Sequence, residues 1–130
     1  MEKNRDEALA RIKAEVIAAD WRLNRRRIEG LRQALAVVVE GLGARRSLMS
    51  LVEMAGAALL YQERHGESAP PAVLDFLKQD LARLVDLLED EVVSAERDAE
   101  VFNKVHGRFL ALRRLLAPGD GTGRPGEEAG

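Results

Sequence analysis

Histidine, carboxylate and arginine side chains are the groups of this 130-residue chain that could take part in catalysis or binding. The chain contains no cysteine. The lack of cysteine excludes disulfides, thiolate zinc sites and cysteine nucleophiles. The two histidines are His65 and His106. A di-iron site in a helical bundle needs a glutamate three residues before a histidine on two helices. The residues at those positions are Gln62 and Asn103, so the sequence predicts no metal site of this kind.

His106 is the only residue for which we consider a covalent role. Its phase against the apolar residues of its helix places it at the flank of the buried stripe. The chain is similar in size and class to a histidine phosphotransfer domain, which is a helical bundle with an exposed histidine. Such domains show His, two residues, Lys and Gly, whereas here Gly107 follows His106 directly and Arg108 is the nearby cation. Phosphotransfer through His106 is therefore an alternative to an ordinary packing role.

Four arginines stand around the expected start of the second helix and form what we call the arginine cluster: Arg22, Arg25, Arg26 and Arg27. The positive end of a helix dipole favours acids there, not arginines. The segment Arg22–Arg46 has seven arginines and two glutamates, a net charge of +5, although the whole chain has −2. Arginines can contact the phosphates of a nucleic acid. Successive arginines of a helix project in different directions, so only two or three of them can face one nucleic acid. The acidic half of the chain would also repel a duplex. Nucleic-acid binding is therefore not favoured and stays an alternative.

Acidic residues gather at the expected end of the fourth helix in what we call the acidic cluster: Asp86, Glu89, Asp90 and Glu91. The negative end of the dipole disfavours each of them by a few tenths of a kcal/mol. The segment Asp75–Glu100 has nine acids and three basic residues, a net charge of −6. Exposed ion pairs contribute only about 0–1 kcal/mol, so stability alone does not justify either cluster. The two clusters either pair with each other, within one chain or across a dimer, or bind a partner.

Apolar residues at helical spacing predict five helices and no strand, at about residues 2–19, 25–41, 45–65, from near Pro71 to before Val92, and 95–116. Asn24 and Ser94 are the expected N-caps, and Gly66 is the expected C-terminal stop of the third helix. Because the third helix is apolar around most of its circumference, we expect it to be central. Trp21, between two helices, is expected to be a core anchor.

The fourth helix divides into apolar and charged positions. Its apolar stripe consists of Val73, Leu77, Leu81, Leu84, Val85 and Leu88. Its other positions carry the acids Asp75, Asp80, Asp86, Glu89 and Asp90. We therefore expect Asp80, like the other acids, to lie outside the stripe.

The fold class that follows is all-α, a single five-helix bundle over residues 1–116. Residues 117–130 are expected to be a disordered tail, because PGDGTGRPGEEAG contains five glycines and two prolines and no large apolar side chain. The first residues are charged and lack the apolar stretch of a signal peptide. The most apolar window, Leu48 to Leu60, is shorter than the roughly 20 residues of a spanning helix. We expect a cytoplasmic protein without membrane contact.

The order of features resembles a little-studied all-helical domain of bacterial proteins with an Asp-Trp motif. The similar segments are EVIAADWRL from Glu15, LVEMAGAALLYQERH from Leu51, the Pro71 start of helix four, and FNKVHGRFLALRRLL from Phe102. The resemblance implies a small non-catalytic module, sometimes found with signalling proteins, and it supplies no catalytic residues. In the domains that the chain resembles, the segment after Asp-Trp is usually acidic or polar. Here that segment holds the arginine cluster, which suggests a surface specific to one partner.

Together these features predict a non-catalytic helical module for protein–protein interaction or regulation. We expect the contact residues to be the arginine cluster and the acidic cluster, with a protein partner or a second copy of the chain bound there. The sequence predicts no catalytic residue, because no nucleophile, base and orienting group stand at a spacing that demands it. It likewise predicts no cofactor.

Overall fold

The computed structural model of the protein describes residues 2–18 and 24–117. Over these residues the chain forms five α-helices and a short 3-10 turn at Gly66–Ser68, with no strand. The helices are α1 (Glu2–Ile17), α2 (Arg25–Glu40), α3 (Arg46–His65), α4 (Pro71–Glu89) and α5 (Ala95–Leu116). The predicted all-α class is confirmed. Trp21 and the predicted tail from Pro118 onward lie outside the described residues.

Local capping explains where these helices begin and end. The side chain of Asn24 accepts the backbone N–H of residue 27 at 2.8 Å, and that of Ser94 accepts the N–H of residue 97 at 3.2 Å. Both residues are therefore N-caps, as predicted. Pro71 occupies the first turn of α4, where its missing N–H is not needed. Gly66 ends α3 with φ +54°, a conformation that favours glycine.

Two helices share the middle of the packing. α3 contacts α2, α4 and α5, while α4 contacts α1, α3 and α5. α1 lies against α2 and α4, and α2 lies against α1 and α3. The prediction of a single central third helix is therefore not confirmed, because α4 contacts as many helices as α3 does.

The buried apolar side chains form one continuous core. On α3, all seven apolar residues expected around its circumference are buried: Leu48, Leu51, Val52, Met54, Ala55, Ala58 and Leu59. On α5, Val105 and Leu112 are buried, but Phe102, Phe109 and Leu116, which continue the same helical spacing, are only partly buried. The reason is that α5 contacts only α3 and α4 and so lies on the outside of that pair.

Asp80 lies in the core, and the prediction that it stays outside the apolar stripe is wrong. The most buried line along α4 is Val73, Leu77, Asp80, Leu84 and Leu87, each 0–2% exposed. These residues follow one another at steps of four and three, so they lie on one face of the helix. Asp80 is in the middle of that line. The spacing of Asp80 from the buried residues on either side places it on the buried face of α4, although its side chain is polar.

Candidate interaction surface

The arginine cluster is partly engaged within the chain. Arg27 is half-buried, and its Nη2 atom lies 2.5 Å from Oε1 of Glu15 on α1. Arg25 and Arg26 are exposed, and neither forms an ion pair with any described residue. Arg22 lies outside the described residues. The two exposed guanidinium groups therefore stand at the positive end of the α2 dipole, in a first turn that contains no acid.

The acidic cluster is also partly engaged. Glu89 accepts from Lys13 Nζ of α1 at 2.5 Å, and Asp90 pairs with Arg97 of α5. Two members are less constrained. Asp86 is exposed and lies 3.9 Å from Arg83 on its own helix, and Glu91 is exposed without an ion pair among the described residues.

Helix α1 stands in contact with the helices that carry both clusters, and it pairs with each of them. Lys13 reaches the acidic cluster and Glu15 reaches the arginine cluster. The backbones of α2 and α4 do not come into contact, and no ion pair joins the two clusters within residues 5–18 and 24–117. Direct pairing of the clusters inside one chain, which the sequence left open, is not seen there.

Exposed apolar side chains flank the acidic cluster. Val92 and Val93 follow it directly in the chain and are 73% and 62% exposed. Ile17, one helical turn beyond Lys13 on α1, is 81% exposed. Aliphatic side chains beside charged ones are the composition of a protein contact surface, in which an apolar centre is bordered by polar groups. None of these three residues was predicted from the sequence to be a contact residue.

Two other arginines of the Arg22–Arg46 segment, Arg32 and Arg45, are held in place by acids. Arg32 Nη2 lies 2.9 Å from Glu63 Oε1 on α3. Arg45 forms two hydrogen bonds with Asp98, from Nη2 to Oδ1 at 2.9 Å and from Nε to Oδ2 at 3.0 Å. The pair connects the residue before α3 to the first turn of α5. From the sequence, Asp98 was predicted only to be one of the acids of the segment Asp75–Glu100, although it stands seven residues before Val105 and so lies on the buried face of α5.

The two histidines both stack on an aromatic ring of the preceding helical turn. The His106 ring lies 5.1 Å from that of Phe102, and the His65 ring lies 4.1 Å from that of Tyr61. His106 is half-buried, as its phase predicted, and it borders a groove of about 280 Å³ between α3 and α5. That groove also contains Glu53.

A second groove, of about 300 Å³, lies between α4 and α5. A hydrogen bond from Arg108 on α5 to Gln79 on α4 crosses it. Its walls are mainly apolar and include Ala72, Phe76, Ala111, Leu112 and Leu115. Leu115 is 62% exposed, so this side of α5 also presents apolar surface.

Within the described residues, no group of three histidine, aspartate or glutamate side chains is arranged to hold a metal ion. None of the described helices combines the length and apolar character needed to cross a membrane. No known protein family, curated protein or solved structure matches this chain.

Proposed function

We propose that this chain is a non-catalytic helical bundle that binds a protein partner through the arginine cluster and the acidic cluster. The observation that carries the proposal is the pair Arg25 and Arg26. Both side chains are exposed and without an ion pair among the described residues, although they stand where the helix dipole disfavours positive charge. An acidic surface on a partner would remove this disadvantage.

The distribution of ion pairs supports an external partner for these two residues. Glu15 of α1 is already used, since it pairs with Arg27, and Glu29, one helical turn along α2, accepts a hydrogen bond from Gln33 and forms no ion pair with Arg25 or Arg26. Arg25 and Arg26 are neighbours of like charge, and an anion close to both would offset their mutual repulsion. A carboxylate-rich surface on another molecule provides that anion, and the contact would depend on salt concentration.

A second copy of this chain is the partner that we propose first, because it offers complementary charge. In a two-fold symmetric dimer the same surface is used twice, so the arginine cluster of each copy can face the acidic cluster of the other. The exposed apolar residues Ile17, Val92 and Val93 would supply area that excludes water beside these charges. From the sequence resemblance we also propose a bacterial, cytoplasmic regulatory or signalling system as the setting.

The test is the solution mass by light scattering at low and high salt. We expect a dimer at low salt that dissociates as the salt concentration rises, and a monomer when Arg25 and Arg26 are both replaced by Glu. The matched control replaces Arg113 and Arg114, exposed near the end of α5, by Glu, which changes the charge equally elsewhere. A wild type and double variant with the same mass at every salt concentration would contradict self-association through the arginine cluster.

If the wild type is monomeric, the same pair of variants tests a different protein partner. The wild type and the α5 control should then capture that partner from an extract, and the Arg25→Glu/Arg26→Glu variant should not. Equal capture by all three proteins, with circular dichroism showing intact helices, would contradict the proposed surface.

His106 gives a second candidate function, because it is half-buried rather than buried and borders the groove between α3 and α5. A phosphoryl group carried by this imidazole would be acid-labile. Incubation with a phosphodonor and a receiver domain should label the wild type but not the His106→Gln variant. No acid-labile phosphate on the wild type would end this candidate. For nucleic-acid binding, the remaining alternative, the expected signature is an affinity that falls steeply with salt.

A further inference from the structure

Asp80 is a buried carboxyl group without a hydrogen-bond partner. Its side chain is 0% exposed, and neither of its two oxygens has a partner among the described residues. A buried polar group without a hydrogen-bond partner is rare because it destabilises the folded state, and a buried unpaired charge destabilises it far more. Asp80 is therefore compatible with the closed fold chiefly as the neutral acid. Burial accordingly raises the pKa of Asp80 from 3.8 to about 8.

The position of Asp80 connects it to the docking of α5. Phe76 on α4 contacts Phe109 on α5 with ring centres 5.5 Å apart. The two helices are antiparallel, because Asp90 at the end of α4 pairs with the first turn of α5. Asp80 lies four residues after Phe76 on α4, and Val105 lies four residues before Phe109 on α5. Val105 is 2% exposed. This register places Val105 across from the buried carboxyl.

The described charged and titratable side chains of the neighbouring helices do not bind Asp80. On α1, Lys13 pairs with Glu89 at the end of α4. On α3, Glu53 is exposed. On α5, His106 stacks on an aromatic ring and Arg108 donates to a glutamine of α4. None of these groups hydrogen-bonds the carboxyl of Asp80. The loss of water around it is therefore the cause that raises its pKa.

Helix α5 buries only a small part of its own residues, although ion pairs hold its first turn. Three of its 22 residues are buried, whereas eight of the 19 residues of α4 are buried. Elements with little buried surface are the ones that open first. Separation of α5 would bring water to the line of α4 that contains Asp80.

We propose that Asp80 makes the docking of α5 onto α3 and α4 dependent on a proton. The docked state holds the neutral acid, and the opened state exposes the carboxyl, which then ionises and releases a proton to water. Between about pH 4 and pH 8 the docked state binds one proton that the opened state does not bind. Docking is therefore strongest at the acidic end of this window and weakens as the pH rises.

Hydrogen exchange of the α5 backbone amides, measured by mass spectrometry on the full chain from pH 5 to pH 7.5, tests this proposal. After correction for the intrinsic exchange rate, the protection of α5 in the wild type should fall about tenfold per pH unit, the change that release of one proton produces. In Asp80→Asn, which cannot ionise, the protection should be independent of pH. In Asp75→Asn, an exposed acid of the same helix, it should fall as in the wild type.

Three results would overturn the proposal. The first is a wild type whose α5 protection does not change with pH, and the second is an unchanged slope in Asp80→Asn. The third is protection of the same size in α5, α1 and α3 at every pH, because equal opening free energies would show that the whole fold opens rather than α5 alone. If Asp80→Asn does not fold, Asp80→Leu takes its place with the same expectation of no slope.

Discussion

Arg45 and Asp98 form a two-point ion pair between residues that are 53 positions apart in the chain. The Asp98 side chain is 6% exposed and that of Arg45 is 20% exposed, so water screens this pair less than the surface pairs. The geometry matches the planar fork of a guanidinium with the two oxygens of a carboxylate. It fixes the beginning of α5 to the residue before α3.

Removal of one partner of this pair should destabilise the protein strongly. Asp98→Ala leaves the Arg45 guanidinium in a poorly hydrated position, and we expect a loss of about 2–4 kcal/mol in the free energy of unfolding. Urea denaturation followed by circular dichroism measures this. Arg83→Ala, at an exposed pair with a separation of 3.9 Å, is the control and should cost less than about 1 kcal/mol. Equal losses in the two variants would show that Asp98 has no special role.

The stability of the whole protein should depend on pH through Asp80. Burial raises the folded-state pKa of this residue to about 8 from 3.8, so its stabilising effect is complete below about pH 4 and is lost as the pH rises towards 8. We expect the free energy of unfolding of the wild type to fall by up to about 1.4 kcal/mol per pH unit relative to Asp80→Asn in that interval. Urea titrations from pH 5 to pH 8 measure the difference. Parallel pH profiles would contradict this assignment.

The arginine cluster should reduce the stability of the free protein. Replacing Arg25 and Arg26 by Glu puts acids at the positive end of the α2 dipole, and each change should stabilise the chain by about 0.3–1 kcal/mol. Thermal unfolding at low salt measures the gain. The same variant should lose its partner, as proposed above. A variant that is less stable than the wild type would show that these arginines have structural contacts that the described residues do not reveal.

Two glycines should respond to alanine in opposite directions. Gly107 lies inside α5 with no atom within 4 Å of an added Cβ, so Gly107→Ala should stabilise the protein by about 0.5–1 kcal/mol. Gly43 has φ +58°, which an alanine adopts only with strain, so Gly43→Ala should destabilise it by about 1 kcal/mol or more. Thermal unfolding of both variants checks the signs.

The helices were predictable because their signals are local. Asn24, Ser94 and Gly66 act through backbone groups within a few residues, and such contacts depend little on the rest of the fold. The observed bounds agree with the predicted ones to within two residues.

The contacts of the charged residues were not predictable in the same way. The bond between Arg27 and Glu15 depends on how α1 lies against α2, and the bond between Arg45 and Asp98 depends on where α5 docks. Asp80 is a different case, because its spacing from the leucines on either side already indicated the buried face. Its polarity, which outweighed this spacing in the sequence analysis, turned out to be the weaker signal.

The contact of α1 with α4 constrains the order in which a growing chain can complete its core. Ile12 of α1 is fully buried, and α1 contacts α2, which is made next, and α4, which ends at Glu89. Synthesis proceeds at about 5–20 residues per second, so the apolar face of α1 must wait several seconds for α4. Until α4 is complete, α1 can pair only with α2, whereas α2 can also contact α3. The paired helices therefore leave the ribosome with an apolar face that the rest of the chain has yet to cover.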